Sequence, residues 1–258
     1  MARTSLQVMR DTVFALMMRE LKTRFGARKL GYFWALAEPA AQAAIMATLF
    51  TMIGRNTLTG VPVALFMISG ILPFKFFSKL LPMLAASVQA NRSLFAYRQV
   101  SPIDPFITRL LIEIATHVIV YILLMFVLAW MGYEVWPENL LALISATTLL
   151  MLIGVGLGLM LCSAAAHWED TLKLLSMVMM PMFFISGIFF CATMIPQQYW
   201  YLFTWNPIFH VIELSRDALF STYTTPVGSW SYLAFFALVV NAIGLMLYQV
   251  NRQRFIST

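Results

Sequence analysis

Six stretches of this 258-residue chain stay apolar for twenty residues or more: 31–53, 61–88, 107–131, 139–165, 172–193 and 229–250. A helix crosses the hydrocarbon of a bilayer with about 20 mostly apolar residues. The backbone must also satisfy its own hydrogen bonds there, which an α-helix does. The composition agrees: 61% of residues are hydrophobic and 11% charged, where soluble domains run near a quarter charged. A disordered chain, a secreted disulfide scaffold and an ordinary soluble enzyme are excluded. The expected fold is an all-α integral membrane protein, one domain over residues 1–258, with six transmembrane helices.

The few charges then fix direction. Lys and Arg number 17 against 11 acids, a net of +6, and in a membrane protein such an excess reports orientation rather than nucleic-acid binding. With the N-terminus inside, the cytoplasmic segments hold Arg3, Arg10, Arg19, Lys22, Arg24, Arg28, Lys29, Arg92, Arg98, Arg109, Lys173, Arg252 and Arg254, and the opposite side holds Arg55 and Arg216. Both termini are therefore expected in the cytoplasm. Charges from Arg3 to Arg24 interrupt any apolar core a signal peptide would need.

Residues 4–28 precede the first span and read as an N-terminal amphipathic interface helix. Leu6, Met9, Val13, Leu16 and Met17 follow helical spacing, with Asp11, Arg19 and Lys22 on the other side. Glu20 and Arg24 spoil the stripe. Such a basic helix lies along the headgroups rather than crossing them; the alternative is a solvated tail held by charge.

Residues 191–230 are too long for a hairpin and rich in aromatics, among them Tyr199, Trp200, Tyr201, Phe203, Trp205 and Phe209. Pro196 and Pro207 break the segment, and Val211, Leu214, Ala218 and Leu219 recur at helical spacing beside Glu213, Arg216 and Asp217. Short re-entrant half-helices between the fifth and sixth spans, dipping into the outer leaflet as a candidate outer gate, fit this pattern.

There is no G-x-x-x-x-G-K-[ST], G-x-S-x-G, H-E-x-x-H or dinucleotide fingerprint. Cys162 and Cys191 lie far apart in apolar stretches and, with the scattered His117, His167 and His210, show no metal-ligand spacing. Gly154, Gly156 and Gly158 sit within an apolar span, where small residues let helices approach closely. Glu38 and Glu113 lie near the cytoplasmic ends of the first and third spans, as functional groups or as polar contacts between helices.

Lys75 and Lys79 share one face of the second span, where each costs about 2.5–3.5 kcal/mol to insert. Either they line a path for a negatively charged cargo, or Lys75 snorkels while Lys79 pairs with Glu213 or Asp217. The stretch 89–106 is a compact cytoplasmic loop, closed by Pro102 and Pro105. Its exposed-looking Leu94, Phe95 and Tyr97 lie between Arg92 and Arg98, a pattern suited to docking in a partner's groove.

Three blocks resemble a known family: Arg19-Glu-Leu-Lys-Thr-Arg-Phe-Gly26 with Leu30-Gly-Tyr-Phe-Trp34 and Glu38-Pro39; Leu94-Phe-Ala-Tyr-Arg98 with Pro102-Ile-Asp104; and Ile195-Pro-Gln-Gln-Tyr-Trp200 with Trp205-Asn-Pro207 and Glu213-Leu-Ser-Arg216. Together they resemble the type 2 ABC-exporter permeases, most closely the KpsM-type capsular polysaccharide subunits. The resemblance implies a homodimer in the bacterial inner membrane that binds two copies of a cytoplasmic ABC ATPase. ATP and Mg would belong to that partner, with no cofactor, metal or catalytic residue in this chain. It implies a coupling loop at 89–104, carrying Arg92, Leu94, Phe95, Tyr97, Arg98 and Asp104. It also implies short periplasmic gate helices over about 194–222, where Tyr199, Trp200, Trp205, Glu213 and Arg216 lie; Lys75 and Lys79, the candidates for the substrate path, depart from the family's pattern. The implied cargo is a lipid-linked acidic capsular polysaccharide, handed to a periplasmic co-polymerase and an outer-membrane channel.

On that reading the rings near 199–205 stack on sugar faces, or else simply anchor the chain at the interface. Rival readings are a permease for O-antigen, teichoic acid, another glycolipid or a drug, and a membrane-embedded enzyme acting on lipid-linked sugars. The enzyme would need an acid–base pair or metal ligands at one interface; His210, Glu213, Arg216 and Asp217 form the one dense charge cluster at a boundary.

Overall fold

The computed structural model describes residues 5–23, 31–55, 57–96 and 100–257. Its helices run in the order α1 (Ser5–Leu21), α2 (Gly31–Met52), α3 (Val63–Ala85), α4 (Ile103–Trp130), α5 (Leu140–Ala165), α6 (Thr171–Ile185), α7 (Pro207–Leu219) and α8 (Trp230–Ser257). A 3₁₀ segment, Gln89–Ala96, follows α3, and two more, Ala192–Met194 and Gln197–Leu202, lie between α6 and α7. The all-α expectation meets one small exception. Thr57–Leu58 pairs antiparallel with Val61–Pro62 across Thr59 and Gly60, both at positive φ (53° and 82°), the backbone a two-residue hairpin needs.

Among the described residues four helices are long and apolar enough to cross a membrane: Val63–Phe95, Ile103–Trp130, Leu140–Ala165 and Trp230–Phe255. The other two apolar stretches are also helical. α2 has 22 residues and carries Glu38 and Pro39. α6 has 15, about 22 Å at 1.5 Å per residue, against a hydrocarbon core near 30 Å. The stretch 172–193 thus ends early as a helix, because the chain turns at Gly187 (φ 77°). A side chain at Gly187 would collide with the Phe209 ring, 2.7 Å from its Cβ position.

α3 is the axis of the bundle. Of its most apolar window 72% is buried, against 22–33% for the other three long helices. α2, α4, α5 and α7 all pack on it, around Phe66, Met67, Leu80 and Leu84. α5 then sits between α3 and α8, and the three glycines make this possible. A Cβ at Gly154 or Gly158 would lie 2.6 or 2.7 Å from Leu80 or Leu84, and one at Gly156 2.6 Å from the Val240 backbone. Gly244 of α8 reciprocates, its Cβ position 2.6 Å from the Gly156 carbonyl oxygen. The close approach read from the sequence is therefore made on two sides of α5.

α1 packs on α4 through Val13, Leu16 and Glu20, all buried. Leu6 and Phe14, 72% and 57% exposed, point away from that contact. Met9 and Met17 are half-buried while Asp11, Arg19 and Lys22 are exposed, so the stripe read from the sequence is the side turned to α4, except for Leu6 at its start. Residues 24–28 of the expected interface helix lie outside the described residues.

Candidate functional site

Three polar assemblies interrupt this apolar bundle. The first is at α7. Every residue from Pro207 to Arg216 is buried, although the helix carries His210, Glu213 and Arg216. Asn206 caps it by accepting a hydrogen bond from the Ile208 amide, and Pro207 occupies its first turn.

Arg216 is 0% exposed. Its Nη1 donates to the carbonyls of Gly187 (2.7 Å) and Phe190 (2.9 Å), its Nη2 to that of Ile188 (2.9 Å), and its Nε to Ser69 Oγ (3.3 Å). The Phe66 ring lies 3.7 Å beneath the guanidinium. Burial pulls Arg216 down to about 10, with the Glu213 charge opposing, so it remains a cation at neutral pH. Glu213, 3.9 Å from Arg216, accepts from Tyr223 Oη (2.5 Å), Thr225 Oγ1 (2.9 Å) and the Ala192 amide (3.2 Å). Burial first, and then the Glu213 charge, push the Tyr223 hydroxyl up, which keeps it a donor.

His210 Nδ1 receives the Ser229 amide (3.2 Å), so its Nε2–H faces the Thr204 carbonyl (2.7 Å). Burial pushes its pKa down, leaving a neutral ring. One helix thereby ties together the turn after α6, the Ala192 segment, α3 and the loop before α8. Arg216 is consequently not a charge of an outer loop, as its place in the sequence suggests, but an enclosed one.

The aromatic residues are arranged around this plug. Trp200 Nε1 donates to the carbonyls of Ala192 (3.1 Å) and Ile195 (3.0 Å), and Trp205 Nε1 to that of Leu202 (2.7 Å). The rings of Tyr199 and Trp205 are 47% and 55% exposed. Phe203 meets Phe190 edge-on, with centroids 5.1 Å apart, and Phe209 at a tilt, 5.8 Å apart.

At the other end of the bundle, the 3₁₀ segment Gln89–Ala96 is bound on several sides. Gln89 Nε2 donates to the Ala165 carbonyl (2.5 Å), Asn91 Nδ2 to that of Ser87 (2.9 Å), and Arg19 of α1 to Asn91 Oδ1. Arg92 is exposed and Leu94 half-buried. Phe95 is not the exposed knob expected: it is 8% exposed and joins the main core, because the 3₁₀ turn rotates it inward. Asp104 belongs to the first turn of α4, where its carboxylate accepts from the Ser101 amide (2.8 Å). Tyr97 and Arg98 lie outside the described residues.

Beside this segment Arg109 donates to Glu20 Oε1 (2.9 Å) and to the Met83 carbonyl (2.9 Å). Sequence spacing assigns Glu20 no task beyond spoiling a stripe. An acid on the buried face of a helix was itself the signal, since such a charge needs a partner.

The third assembly is at the lysines. Lys75 Nζ lies 2.5 Å from Glu38 Oε1, so α2 and α3 are linked by an ion pair. Lys79 is exposed and makes no hydrogen bond or ion pair among the described residues. The expected partners for it, Glu213 and Asp217, are engaged elsewhere, Asp217 with the Thr225 amide (3.2 Å).

Helices of membrane length, with an enclosed helix at one end of the bundle and a basic, tethered turn at the other, define a membrane-embedded protein. The chain belongs to the ABC-2 type transporter family, whose profile matches residues 11–220. It is 39% identical to the polysialic acid transport protein KpsM of Escherichia coli over 100% of both chains. It is 30% identical to the capsule polysaccharide export inner-membrane protein CtrC of Neisseria meningitidis serogroup A, covering 93% of this chain and 91% of that one. The O-antigen export system permease protein RfbA of Klebsiella pneumoniae is 25% identical over 95% and 93%.

Proposed function

We propose that this protein is the permease subunit of an ATP-driven exporter that moves a lipid-linked, acidic capsular polysaccharide across the bacterial inner membrane. The carrying observation is the likeness to KpsM, which runs the full length of both chains at 39% identity; the O-antigen permease stands at 25%. In this reading two copies of the chain form the path, all six apolar stretches span the bilayer and both termini face the cytoplasm. A cytoplasmic ABC ATPase, with its ATP and Mg, docks on each copy at Gln89–Ala96 and the residues after it, meeting Arg92 and Leu94. Phe95 and Asp104 hold that surface from within. ATPase closure then moves Gln89–Ala96 together with α1, α4 and α5, to which it and its neighbours are bonded.

The Ala192–Tyr223 region serves as the outer gate. Glu213 and Arg216 keep its shape, and the exposed faces of Tyr199 and Trp205 meet sugar rings. The polymer passes onward to a periplasmic co-polymerase and an outer-membrane channel. The test is deletion and complementation in an encapsulated host. Loss of surface capsule with polymer retained inside the cell is expected, together with co-purification of a Walker-A-bearing subunit. An intact capsule with missing O-chain would replace the cargo assigned here.

A further inference from the structure

One cleft in the bundle is left unused by the export reading, and its chemistry is amphipathic. α4 and α5 both pack on α3 but diverge from each other, leaving a cleft of about 460 Å³ floored by Phe76. This is the size of a small-molecule site. Its walls are apolar, with Val118 and Ile122 on α4 and Ile144 and Met151 on α5. Val118, Ile122 and Ile144 are 47%, 60% and 53% exposed. In a membrane-spanning helix pair such a rim opens sideways onto lipid chains, not onto water. The hydroxyl of Tyr121, in the wall of the cleft, is enclosed and has no hydrogen-bond partner among the described residues.

Phe76 and His117 also line a smaller hollow of about 50 Å³, bounded by Glu38, Lys75, Lys79 and Glu113. The apolar cleft thus adjoins a polar end. There Lys75 is taken by Glu38 and Glu113 is buried, while Lys79 presents an exposed ammonium. An apolar groove open to the bilayer and a cation at one end match an amphiphile with one anionic group. We infer that this cleft binds a glycerophospholipid, one acyl chain between α4 and α5 and the phosphate at Lys79. A bilayer lipid is the occupant because the opening faces the bilayer and the phosphate matches the ammonium. The inference does not depend on the cargo assigned above.

The test uses the full-length protein, purified with its membrane and reconstituted in vesicles of phosphatidylglycerol and phosphatidylethanolamine. A phosphatidylglycerol carrying a photoactivatable group on one acyl chain serves as probe, and adducts are mapped by mass spectrometry. Label is expected to concentrate on peptides containing Thr116–Ile122 and Leu140–Met151. Filling the cleft with Ile144→Trp should abolish it, and Lys79→Gln should weaken labelling by about tenfold, the worth of one charge-assisted contact. Diacylglycerol with the same photoactivatable chain should label poorly. Gel filtration and circular dichroism establish that both variants fold; a misfolded Ile144→Trp is replaced by Thr148→Phe in the same wall. Label spread evenly over α8 and the rest of the lipid-facing surface, unchanged by either variant, overturns the site. Equal labelling by diacylglycerol overturns the role of Lys79.

Discussion

A buried guanidinium persists only if its donors are matched, and at Arg216 four carbonyls (that of Phe66 at 3.4 Å being the fourth), a hydroxyl and an aromatic face do the matching. Removing it orphans the carbonyls of Gly187, Ile188 and Phe190 and leaves Glu213 without its cation. Arg216→Ala should therefore cost about 3–5 kcal/mol, read as a lowered unfolding temperature in detergent. Arg216→Lys should rescue little, because a single ammonium cannot span three carbonyls. Gly70 offers an independent check. A Cβ there would sit 2.9 Å from the guanidinium and 3.0 Å from Ile188 Cα, so Gly70→Leu should destabilise the same corner. An Arg216→Ala variant that melts normally yet fails to export would instead mark a group touching cargo. The charges of this site were legible in the sequence as Glu213, Arg216 and Asp217 standing together. Their partners were not, since backbone carbonyls carry no signature and Ser69 lies 147 positions from Arg216.

At the scale of elements, hydropathy reveals where helices lie but not how they end or which sides meet. The stretch 107–131 starts earlier, at Ile103, because Pro105 fits a first helical turn, where no amide partner is required. The glycines of α5 were readable as a close contact, yet the identity of the partners needed the fold. Gly156→Leu should separate α5 from α8, since even the added Cβ would lie 2.6 Å from the Val240 backbone. A cost of about 1–3 kcal/mol for overpacking is expected, seen as earlier loss of the monodisperse peak on heating.

The coupling end makes a different prediction. Arg19 binds Asn91 and Glu20 binds Arg109, so on the proposed docking at Gln89–Ala96 α1 is expected to move with the segment that ATPase closure pushes. Glu20→Ala should leave ATPase binding and ATP turnover in place and lower export by roughly tenfold, as expected for a lost coupling of one to two kcal/mol. Measuring ATP hydrolysed per unit of polymer exported separates this uncoupling from simple loss of assembly.

For the whole molecule the decisive question is which parts can move apart. α3, α5, α7 and α8 are joined by glycine contacts and by the buried Arg216 corner, and they form one block. α6 has the least packing; α2 too is fastened more lightly than α5. It packs on α3 and to a smaller degree on α4, and Glu38–Lys75 is its one cross-link to α3 among the ion pairs of the described residues. Both side chains of that pair are partly exposed, 51% for Glu38 and 27% for Lys75, so it lies at an edge where parting costs less than in the core. On the proposed two-copy path, α2 moving against the block, with the pair as latch, is one way to open it. Two roles for Lys75, latch or cargo contact, then predict opposite outcomes for a charge exchange. If the pair is a latch, Glu38→Lys alone should depress export several-fold through like-charge repulsion, and adding Lys75→Glu should restore it. If Lys75 serves the anionic cargo directly, the exchange places an acid on the path, and export should fall further instead of recovering. Surface capsule measured for both single variants and the exchange, at matched membrane abundance, distinguishes them.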